Sequence, residues 1–554
     1  MRAQQVFMES LLAHGVDSIF GNPGTTENSL LDRLADYPQI GYYVVLHEGV
    51  AVGAANYYAQ AAGRTPVVNL HVAPGLGNAI GMMYGALKAR APMLVTAGQQ
   101  DTRLQLREPL LSHDLVAMAA PVTKWSAEPK APDEVAPMLR RAFQIANRPP
   151  AGPVFMSLPV NVMEGETGAT DTAPARLQVA SPPDPNGLAK AVDLLLDSDS
   201  PAIVTGDDIA PDGAFSSLVA FAETLGAPVW QLGLRSQVVF PSRHANYKGR
   251  LALDAAGIRD ALKGRDLVFL LGGPGWEELW FDGASPLPEG VPVVELQNAS
   301  ELLAFNDPVD VGMAGGLAVS LHRLREELHA RGGNGLAAAA AARNAALADE
   351  KAAELQAVNA RLEKLWDTSP MTPARALHEV ATAAPEDVVI ADESITASLE
   401  VWGHFNFQRP GDYYGGKGGG IGQGIAGAIG TKVAHPDRPV LAISGDGSAM
   451  YSIQALWTAA HHRLPIVFVI LSNREYRVLK HNMDIYRHRY DARSNRPYPH
   501  MDLTEPALGF VEMARGMGVD GVQVTEPEQV APAIRKGFAS GAPYLVDLVI
   551  SGKV

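Results

Sequence analysis

The sequence contains no cysteine. This absence excludes disulfide bridges, thiolate metal sites and cysteine nucleophiles. The sequence also lacks any apolar run near the roughly 20 residues that a membrane-spanning helix requires. Positive charge is scarce, because 45 lysines and arginines stand against 60 aspartates and glutamates. The formal net charge of −15 argues against nucleic acid or an anionic membrane as the main partner.

Length and composition indicate a multidomain α/β protein. A chain of 554 residues is too long for one core and suits about three domains. Hydrophobic residues make up 47% of the chain and charged residues 19%, as in well-packed globular proteins. Glu9 and His14 interrupt the apolar residues near the N-terminus, so we expect no signal peptide and a soluble cytoplasmic protein.

Short apolar segments alternate with helical patterns in three blocks. Segments buried on both faces and separated by helices are typical of parallel, doubly wound sheets. The blocks predict α/β domains at residues 1–165, 185–330 and 367–554, with a linker rich in Gly and Pro after the first and an Ala-rich helical linker at 336–366. The predicted strands are VDSIF, YYVVL, PVVNLHV, PMLVTAG and PVFMSLP, then PAIVTG, PVWQL, DLVFLLG and PVVELQ, then DVVIADE, PVLAISGDG, PIVFVILSN and APYLVDLVI.

The strongest chemical signal lies in the third block. Asp446 directly follows one predicted strand, and Asn473 directly follows the next one. Because ligands bind at the carboxyl ends of strands in open α/β sheets, we expect these side chains to lie close together. Carboxylate and amide oxygens suit Mg²⁺, and the backbone carbonyl of Glu475 can supply a further ligand. A lone GDG tripeptide is more often a surface turn, but the predicted strand before it, the predicted helix after it and Asn473 at the end of the next strand favour a metal site.

The residues beside Asp446 favour a diphosphate as the second ligand of this site. Gly445 and Gly447 allow the backbone to approach a phosphate group closely. Ser448 can donate a hydrogen bond to the phosphate near a helix N-terminus.

The stretch from GDGS (445–448) to Asn473 resembles the diphosphate motif of thiamine-diphosphate enzymes, with Ser472 replacing the first asparagine of the usual pair. Other segments resemble the decarboxylase and acetolactate-synthase branch of this family, most closely the benzoylformate decarboxylases. The resemblance is collinear over nearly the whole chain. Its further segments are FGNPGTTE (20–27), LHEGVAVGAANYYAQ (46–60), NLHVAPGLGNAIG (69–81), LVTAGQQ (94–100), APVTKWS (120–126), GPVFMSLPVNV (152–162), YYGGKGGGIG (413–422) and GDGSAMYSIQALWTAA (445–460).

This resemblance implies the cofactors and the assembly. It implies one domain for the aminopyrimidine, a central domain and one domain for the diphosphate, with thiamine diphosphate and Mg²⁺ bound. It further implies a homodimer or homotetramer in which each cofactor lies between two subunits. The central domain shows no clear phosphate-binding loop, so the sequence leaves open whether it holds FAD or another nucleotide.

The resemblance also assigns residues to the cofactor. Glu48 corresponds to the carboxylate that hydrogen-bonds the aminopyrimidine and promotes formation of the ylide, which attacks a carbonyl. The alternative is a helix-terminal carboxylate that satisfies backbone amides. Ile421 matches the residue that supports the bent cofactor, and the Gly419 carbonyl matches the acceptor for its amino group. A flexible glycine-rich loop is the alternative for this run.

Two residues match the substrate site of the benzoylformate decarboxylases. His71 corresponds to a histidine suited to protonating the enamine after CO₂ leaves, although a structural histidine is nearly as common at a strand end. Thr25 stands where a serine positions the substrate carboxylate. A second histidine of these enzymes has no counterpart, since Leu279 stands in its place. His113 is either a substitute for it or a solvent-facing residue.

A basic stretch directly after Asn473 departs from the largely apolar substrate wall of these relatives. One interpretation is a solvated helix face. The other is recognition of an acidic substrate or a phosphate-bearing acyl carrier. The cations of this stretch are Arg474, Arg477, Lys480, His481, Arg487 and Arg489.

The leading hypothesis is a carboxy-lyase that decarboxylates a 2-oxo acid without oxidation and releases an aldehyde. The alternative within the family is a carboligase or lyase that acts on 2-oxo acids, aldehydes or acyl-CoA adducts, as acetolactate synthases and 2-hydroxyacyl-CoA lyases do. A regulatory protein that keeps the fold without turnover is the alternative from another class. Glu48 argues against it, because binding of the cofactor alone does not require that carboxylate.

Overall fold

The computed structural model describes residues 1–175, 180–273, 275–492, 494, 496–498 and 500–552. Residues 176–179, in the predicted linker after the first block, lie outside these ranges, as does Pro274, near Leu279. The chain divides into two compact units. The first consists of Met1–Arg176, Lys364–His404 and Gly415–Val554, and the second of Leu177–Glu363 and Phe405–Tyr414.

The first unit contains one complete six-stranded sheet and five strands of another. One is built by the N-terminal part of the chain, with the order β2-β1-β3-β4-β6-β5 and parallel pairing. Its strands are β1 (Ser18–Gly21), β2 (Gly41–Val44), β3 (Val67–Leu70), β4 (Met93–Gln99), β5 (Ser126–Ala127) and β6 (Pro153–Pro159). The helices that connect and cover them are α1 (Ala3–Ala13), α2 (Asn28–Leu34), α3 (Glu48–Ala62), α4 (Val72–Lys88), α5 (Leu115–Ala119), α6 (Val135–Asn147) and α7 (Val160–Met163).

The second unit contains a six-stranded sheet in the order β12-β11-β10-β7-β8-β9, again with parallel pairs. Its strands are β7 (Pro201–Thr205), β8 (Val229–Gln231), β9 (Tyr247–Arg250), β10 (Leu267–Leu271), β11 (Val293–Gln297) and β12 (Val311–Ala314). Its helices are α8 (Pro185–Asp197), α9 (Phe215–Leu225), α10 (Ala255–Ala261) and α11 (Leu317–Leu365), the last with non-helical backbone at Gly333.

The last sheet, whose strands other than β14 lie in the first unit, has the order β14-β13-β15-β16-β18-β17. Parallel pairing joins β13 to β15, β15 to β16, β16 to β18 and β18 to β17. The strands are β13 (Val389–Glu393), β14 (Tyr413–Gly415), β15 (Val440–Gly445), β16 (Ile466–Ser472), β17 (Asp520–Val524) and β18 (Tyr544–Val549). The helices are α12 (Pro373–Ala383), α13 (Ser398–His404), α14 (Gln423–Ala434), α15 (Asp446–Ala449), α16 (Ala455–His461), α17 (Arg477–Arg489), α18 (Phe510–Gly516) and α19 (Pro527–Ala539).

Three parallel α/β sheets confirm the predicted fold class. The strands that the sequence did not predict are β5, β9, β12, β14 and β17, each at the edge of its sheet. An edge strand has a neighbour on one side only and needs a shorter apolar run, so periodicity detects it poorly. Within the described residues, no helix combines the length and apolar character that crossing a bilayer demands.

Helices α3 and α14 of the first unit pack together through small residues. A Cβ on Gly430 would lie 1.8 Å from the carbonyl oxygen of Ala54, and a Cβ on Gly53 would lie 2.7 Å from the Cβ of Ala426. Glycine is therefore required at these positions for the helices to approach this closely. The contact matters for the site because α3 begins at Glu48 and α14 begins after the glycine-rich segment that carries Ile421.

Candidate functional site

The carboxyl ends of β15 and β16 open onto a cavity in the first unit. The two strands are parallel neighbours, with Gly445 opposite Leu471, so the residues that follow them meet at one edge of the sheet. The structure brings the predicted metal and diphosphate residues together there. Those that line the cavity are Gly445, Asp446, Gly447, Ser448, Asn473 and Glu475.

Asp446 is a buried carboxylate in an anionic setting. The Gly447 N–H donates to its Oδ1 at 2.8 Å, and the Arg474 N–H donates to its Oδ2 at 2.6 Å. Burial raises the pKa of Asp446 to about 6, and the carboxylates of Asp547 and Glu475 act in the same direction. A divalent cation beside Asp446 would offset both effects, so this carboxylate suits a metal ligand.

Asn473 and Glu475 offer oxygen atoms of the other kinds that Mg²⁺ accepts. The Asn473 side-chain carbonyl accepts a hydrogen bond from the Glu475 N–H at 3.1 Å, and the Glu475 carboxylate pairs with Lys480. In the part of the chain that the structure describes, no group of three histidine, aspartate or glutamate side chains is placed to hold an ion. One carboxylate, one amide and a backbone carbonyl fit Mg²⁺ that takes its remaining ligands from a diphosphate and water.

Residues of the loop after β13 also line this cavity, and sequence reasoning did not identify them. They are Ser394, Ile395 and Thr396. The hydroxyl groups of Ser394 and Thr396 can donate to phosphate oxygens. The sequence did offer a way to find these residues, because the loop follows a predicted strand of the same sheet.

Left-handed backbone occurs at three residues that lie in the site or directly follow a site residue. Val72 has φ 42° and follows His71, Arg474 has φ 58° and follows Asn473, and Ile395 in the cavity wall has φ 52°. This conformation is costly for residues other than glycine, above all for β-branched ones, and it concentrates at functional sites.

Glu48 lies in the first turn of α3 and is 6% exposed. Two side-chain amides hold its carboxylate, since Asn22 donates to Oε1 and Asn78 donates to Oε2, both at 3.0 Å. Gly75 lies against it, where a Cβ would be 3.1 Å from Oε1. The carboxylate is therefore fixed by side chains from two other segments, which a simple cap of its own helix would not require.

His71 is paired with a buried carboxylate that the sequence did not reveal, that of Glu27. His71 Nδ1 lies 2.9 Å from Glu27 Oε2, which also accepts the Gly24 N–H at 3.0 Å. The Gly98 N–H donates to Glu27 Oε1 at 2.8 Å. The imidazole lies over Gly24, because a Cβ there would be 1.9 Å from Nδ1. Thr25 is exposed in the same turn, so its hydroxyl is accessible.

Four other predicted residues are not among those that line the cavity around Asp446. They are Glu48, His71, Gly419 and Ile421. His113 is exposed, in agreement with a solvent-facing residue. Leu279, in the second unit, is 58% exposed.

The basic stretch after Asn473 forms α17 and the turn before it, and most of its cations are engaged or exposed. Lys480 pairs with Glu475 and, at 2.6 Å, with Asp502. The Arg487 guanidinium lies over the Tyr498 ring, 4.9 Å from its centroid. These residues stabilise the local structure, as the solvated-face interpretation expects.

Arg477 differs from the other cations of the stretch. It is half-buried at the start of α17 and lines the cavity around Asp446. Its Nε is buried, and among the described residues it has no hydrogen-bond partner. Arg474, His481 and Arg489 are exposed. The structure therefore brings one cation of this stretch to the cavity.

Comparisons with known proteins agree with this geometry. Three models match the chain: the N-terminal TPP binding domain of thiamine pyrophosphate enzymes at residues 1–118, their central domain at 188–324 and their C-terminal TPP binding domain at 396–548.

Individual relatives extend over the whole chain. Benzoylformate decarboxylase of Pseudomonas aeruginosa is 33% identical over 98% of this chain and 97% of its own length. The acetolactate synthase large subunit of Parasynechococcus marenigrum is 26% identical over 98% of this chain and 86% of its own. A solved structure of the thiamine-diphosphate-dependent 4-hydroxybenzoylformate decarboxylase of Rhodococcus jostii superimposes with a TM-score of 0.87 at 28% identity, covering 100% of this chain and 99% of that one. The chain therefore belongs to the decarboxylase and acetolactate-synthase family of thiamine-diphosphate-dependent enzymes.

Proposed function

We propose that the chain decarboxylates a 2-oxo acid without oxidation, with thiamine diphosphate and Mg²⁺ as cofactors, and releases CO₂ and an aldehyde. The observation that carries this proposal is the paired His71 and Glu27 beside the accessible hydroxyl of Thr25. A histidine in a fixed orientation can deliver the proton that replaces the departing carboxyl group. The 33% identity to a benzoylformate decarboxylase over 98% of the chain supports the same reaction class.

Each residue of this proposal acts at a stated atom. Thiamine diphosphate, when bound, supplies a thiazolium that takes up the electron pair left by the carboxyl group. Asp446, Asn473 and the Glu475 carbonyl would hold Mg²⁺, while Gly445, Gly447 and Ser448 would receive the diphosphate. Glu48 shares a proton with the aminopyrimidine through its carboxyl oxygen.

Glu27 and the residues beside it act on the substrate. When His71 Nδ1–H donates to Glu27, the ring exchanges its proton at Nε2. The Thr25 hydroxyl donates to the substrate carboxylate. Gly419 and Ile421 would support the cofactor through a carbonyl and an aliphatic side chain. The active form is a homodimer or homotetramer whose cofactors lie between subunits. Light scattering measures the mass of the holoenzyme, and a monomer would refute this assembly.

A panel of 2-oxo acids tests the reaction. The holoenzyme is expected to release CO₂ and one equivalent of aldehyde from at least one aryl or aliphatic 2-oxo acid. Likeness to an acetolactate synthase supports the second candidate, a carboligase. Condensation of two substrates without free aldehyde would favour that candidate, and cleavage of acyl-CoA adducts alone would contradict decarboxylation.

We further propose that the substrate is anionic at its far end, because Arg477 lines the cavity and its buried Nε has no hydrogen-bond partner among the described residues. Hydrogen bonds to charged groups contribute about 1.5–3 kcal/mol. Arg477→Ala is therefore expected to raise KM for a dicarboxylic 2-oxo acid roughly tenfold or more and to leave KM for a neutral analogue unchanged. Steady-state kinetics on matched substrate pairs measure the difference.

The exposed Arg489 provides the matched control, since Arg489→Ala removes the same charge from the far end of α17. An equal rise of KM for both substrates in Arg477→Ala would show that Arg477 does not recognise the distal charge.

A further inference from the structure

Glu393 is a buried carboxylate outside the cofactor motif, at the end of β13, and it joins this strand to the start of α14. It is 5% exposed. Its Oε1 accepts the N–H groups of Gly422 at 2.8 Å and of Gln423 at 3.1 Å, and its Oε2 accepts the Gly424 N–H at 2.9 Å. Burial raises the pKa of Glu393 to about 7, and the three N–H donors oppose that rise. One carboxylate thus satisfies amides that a helix N-terminus leaves without partners.

The close approach of Glu393 depends on glycine in α14. A Cβ on Gly424 would lie 2.6 Å from the Cβ of Glu393, so a larger residue would displace the carboxylate. Gly422 has φ 97°, a backbone conformation that side chains rarely allow. Glycine at positions 422 and 424 therefore provides the space and the backbone conformation that the contact with this carboxylate requires.

The side chain of Gln423 holds the preceding glycine-rich segment from the other side. Its Nε2 donates to the carbonyl of Lys417 at 2.9 Å and to that of Gly420 at 2.6 Å. Its Oε1 accepts from Asn56 Nδ2 on α3 at 3.3 Å. Gln423 is 1% exposed, so these bonds form away from water, where they fix geometry strongly.

Ile421 consequently has a fixed neighbour on each side. Gln423 binds the carbonyl of Gly420, and Glu393 binds the amide of Gly422. Gly419 directly precedes Gly420 in the chain. The segment 417–422 is held in one conformation by hydrogen bonds, which a flexible loop would not show.

We propose that Glu393 is a positioning residue for the aminopyrimidine half of thiamine diphosphate. Its carboxylate fixes the segment that presents the Gly419 carbonyl and the Ile421 side chain, and it does not line the cavity around Asp446. This inference rests on the proposed function, because it assigns those two groups to the cofactor. The simpler alternative is that Glu393 only caps α14 and supports the fold.

Two ligands separate these possibilities. Thiamine diphosphate contacts both the diphosphate cavity and the segment 417–422, whereas inorganic diphosphate with Mg²⁺ contacts the cavity alone. Glu393→Gln removes one acceptor at constant size and is expected to weaken thiamine diphosphate at least tenfold. Affinity for Mg²⁺ and inorganic diphosphate is expected to stay within twofold of the wild type. Titration calorimetry of the full chain measures both constants.

Glu386→Gln is the matched control, because Glu386 is an exposed carboxylate just before the amino end of β13. Equal weakening of both ligands in Glu393→Gln would mean that Glu393 merely supports the domain and would overturn the proposal. An unchanged affinity for thiamine diphosphate would overturn it as well. A wild-type chain that binds no thiamine diphosphate would instead refute the proposed function.

A second variant covers the case in which Glu393→Gln does not fold. Gln423→Met keeps the length of a buried side chain and removes its donors to Lys417 and Gly420. It is expected to weaken thiamine diphosphate and spare inorganic diphosphate in the same way. Identical affinities of this variant and the wild type for thiamine diphosphate would contradict the role given to the segment.

Discussion

Glu48→Gln is expected to reduce turnover at least about 100-fold, in line with the contribution of general acid–base catalysis, while thiamine diphosphate still binds. The amide keeps the size of the side chain and can still accept from Asn22 or Asn78, but it cannot share a proton with the aminopyrimidine. The rate of CO₂ release measures turnover, and calorimetric titration of the cofactor measures binding.

Glu108 provides the control for Glu48, since it is an exposed glutamate of the same unit and Glu108→Gln makes the same chemical change. It is expected to match the wild type in both measurements. Unchanged turnover in Glu48→Gln would refute the proposed mechanism, and lost cofactor binding would show that Glu48 serves affinity and not proton transfer.

Asp446→Asn is expected to abolish the stabilisation that Mg²⁺ and thiamine diphosphate confer together. A ligand at 100 times its Kd stabilises the folded state by about 2.7 kcal/mol, which shifts the thermal midpoint by several degrees. The amide removes the buried negative charge that a metal ion would neutralise. Thermal unfolding with and without Mg²⁺ and thiamine diphosphate measures the shift.

Asp437 is the corresponding control, because it is exposed and precedes the amino end of β15, whereas Asp446 follows the carboxyl end. Asp437→Asn is expected to keep the full ligand-induced shift. If Asp446→Asn keeps it too, this aspartate does not hold the metal.

The meeting of Asp446 and Asn473 at one cavity could be predicted, because it follows from strand order. Asp446 and Asn473 each follow an apolar run, and adjacent parallel strands bring such residues together. The cavity that both line agrees with this prediction. The loop at Ser394 and Thr396 follows the same rule and could have been found by applying it to β13.

Glu27 and Glu393 could not be found in this way. Glu27 meets His71 and the Gly98 amide, and Glu393 meets amides of α14, through contacts between segments distant in sequence. A glutamate near a strand end looks the same whether it is solvated or buried. Three-dimensional packing decides between the two states, and periodicity carries no information about it.

The basic stretch shows the same limit at the level of single side chains. Its composition predicted either a solvated face or an anion site, and the structure divides it between Lys480, which is paired, and Arg477, which lines the cavity. Helical periodicity alone did not separate them, because Arg477 begins the helix and its surroundings come from the other segments of the cavity wall.

The left-handed backbone at Val72, Ile395 and Arg474 sets a limit for anyone who engineers this chain for heat resistance. Each such residue costs on the order of 1–3 kcal/mol, and together they approach the net stability of a small domain. Glycine at these positions would relieve the cost and would rank high in a search for stabilising substitutions. It would also loosen the backbone beside His71 and Asn473. Thermal tolerance is therefore better sought elsewhere in the chain, with these three residues left as they are.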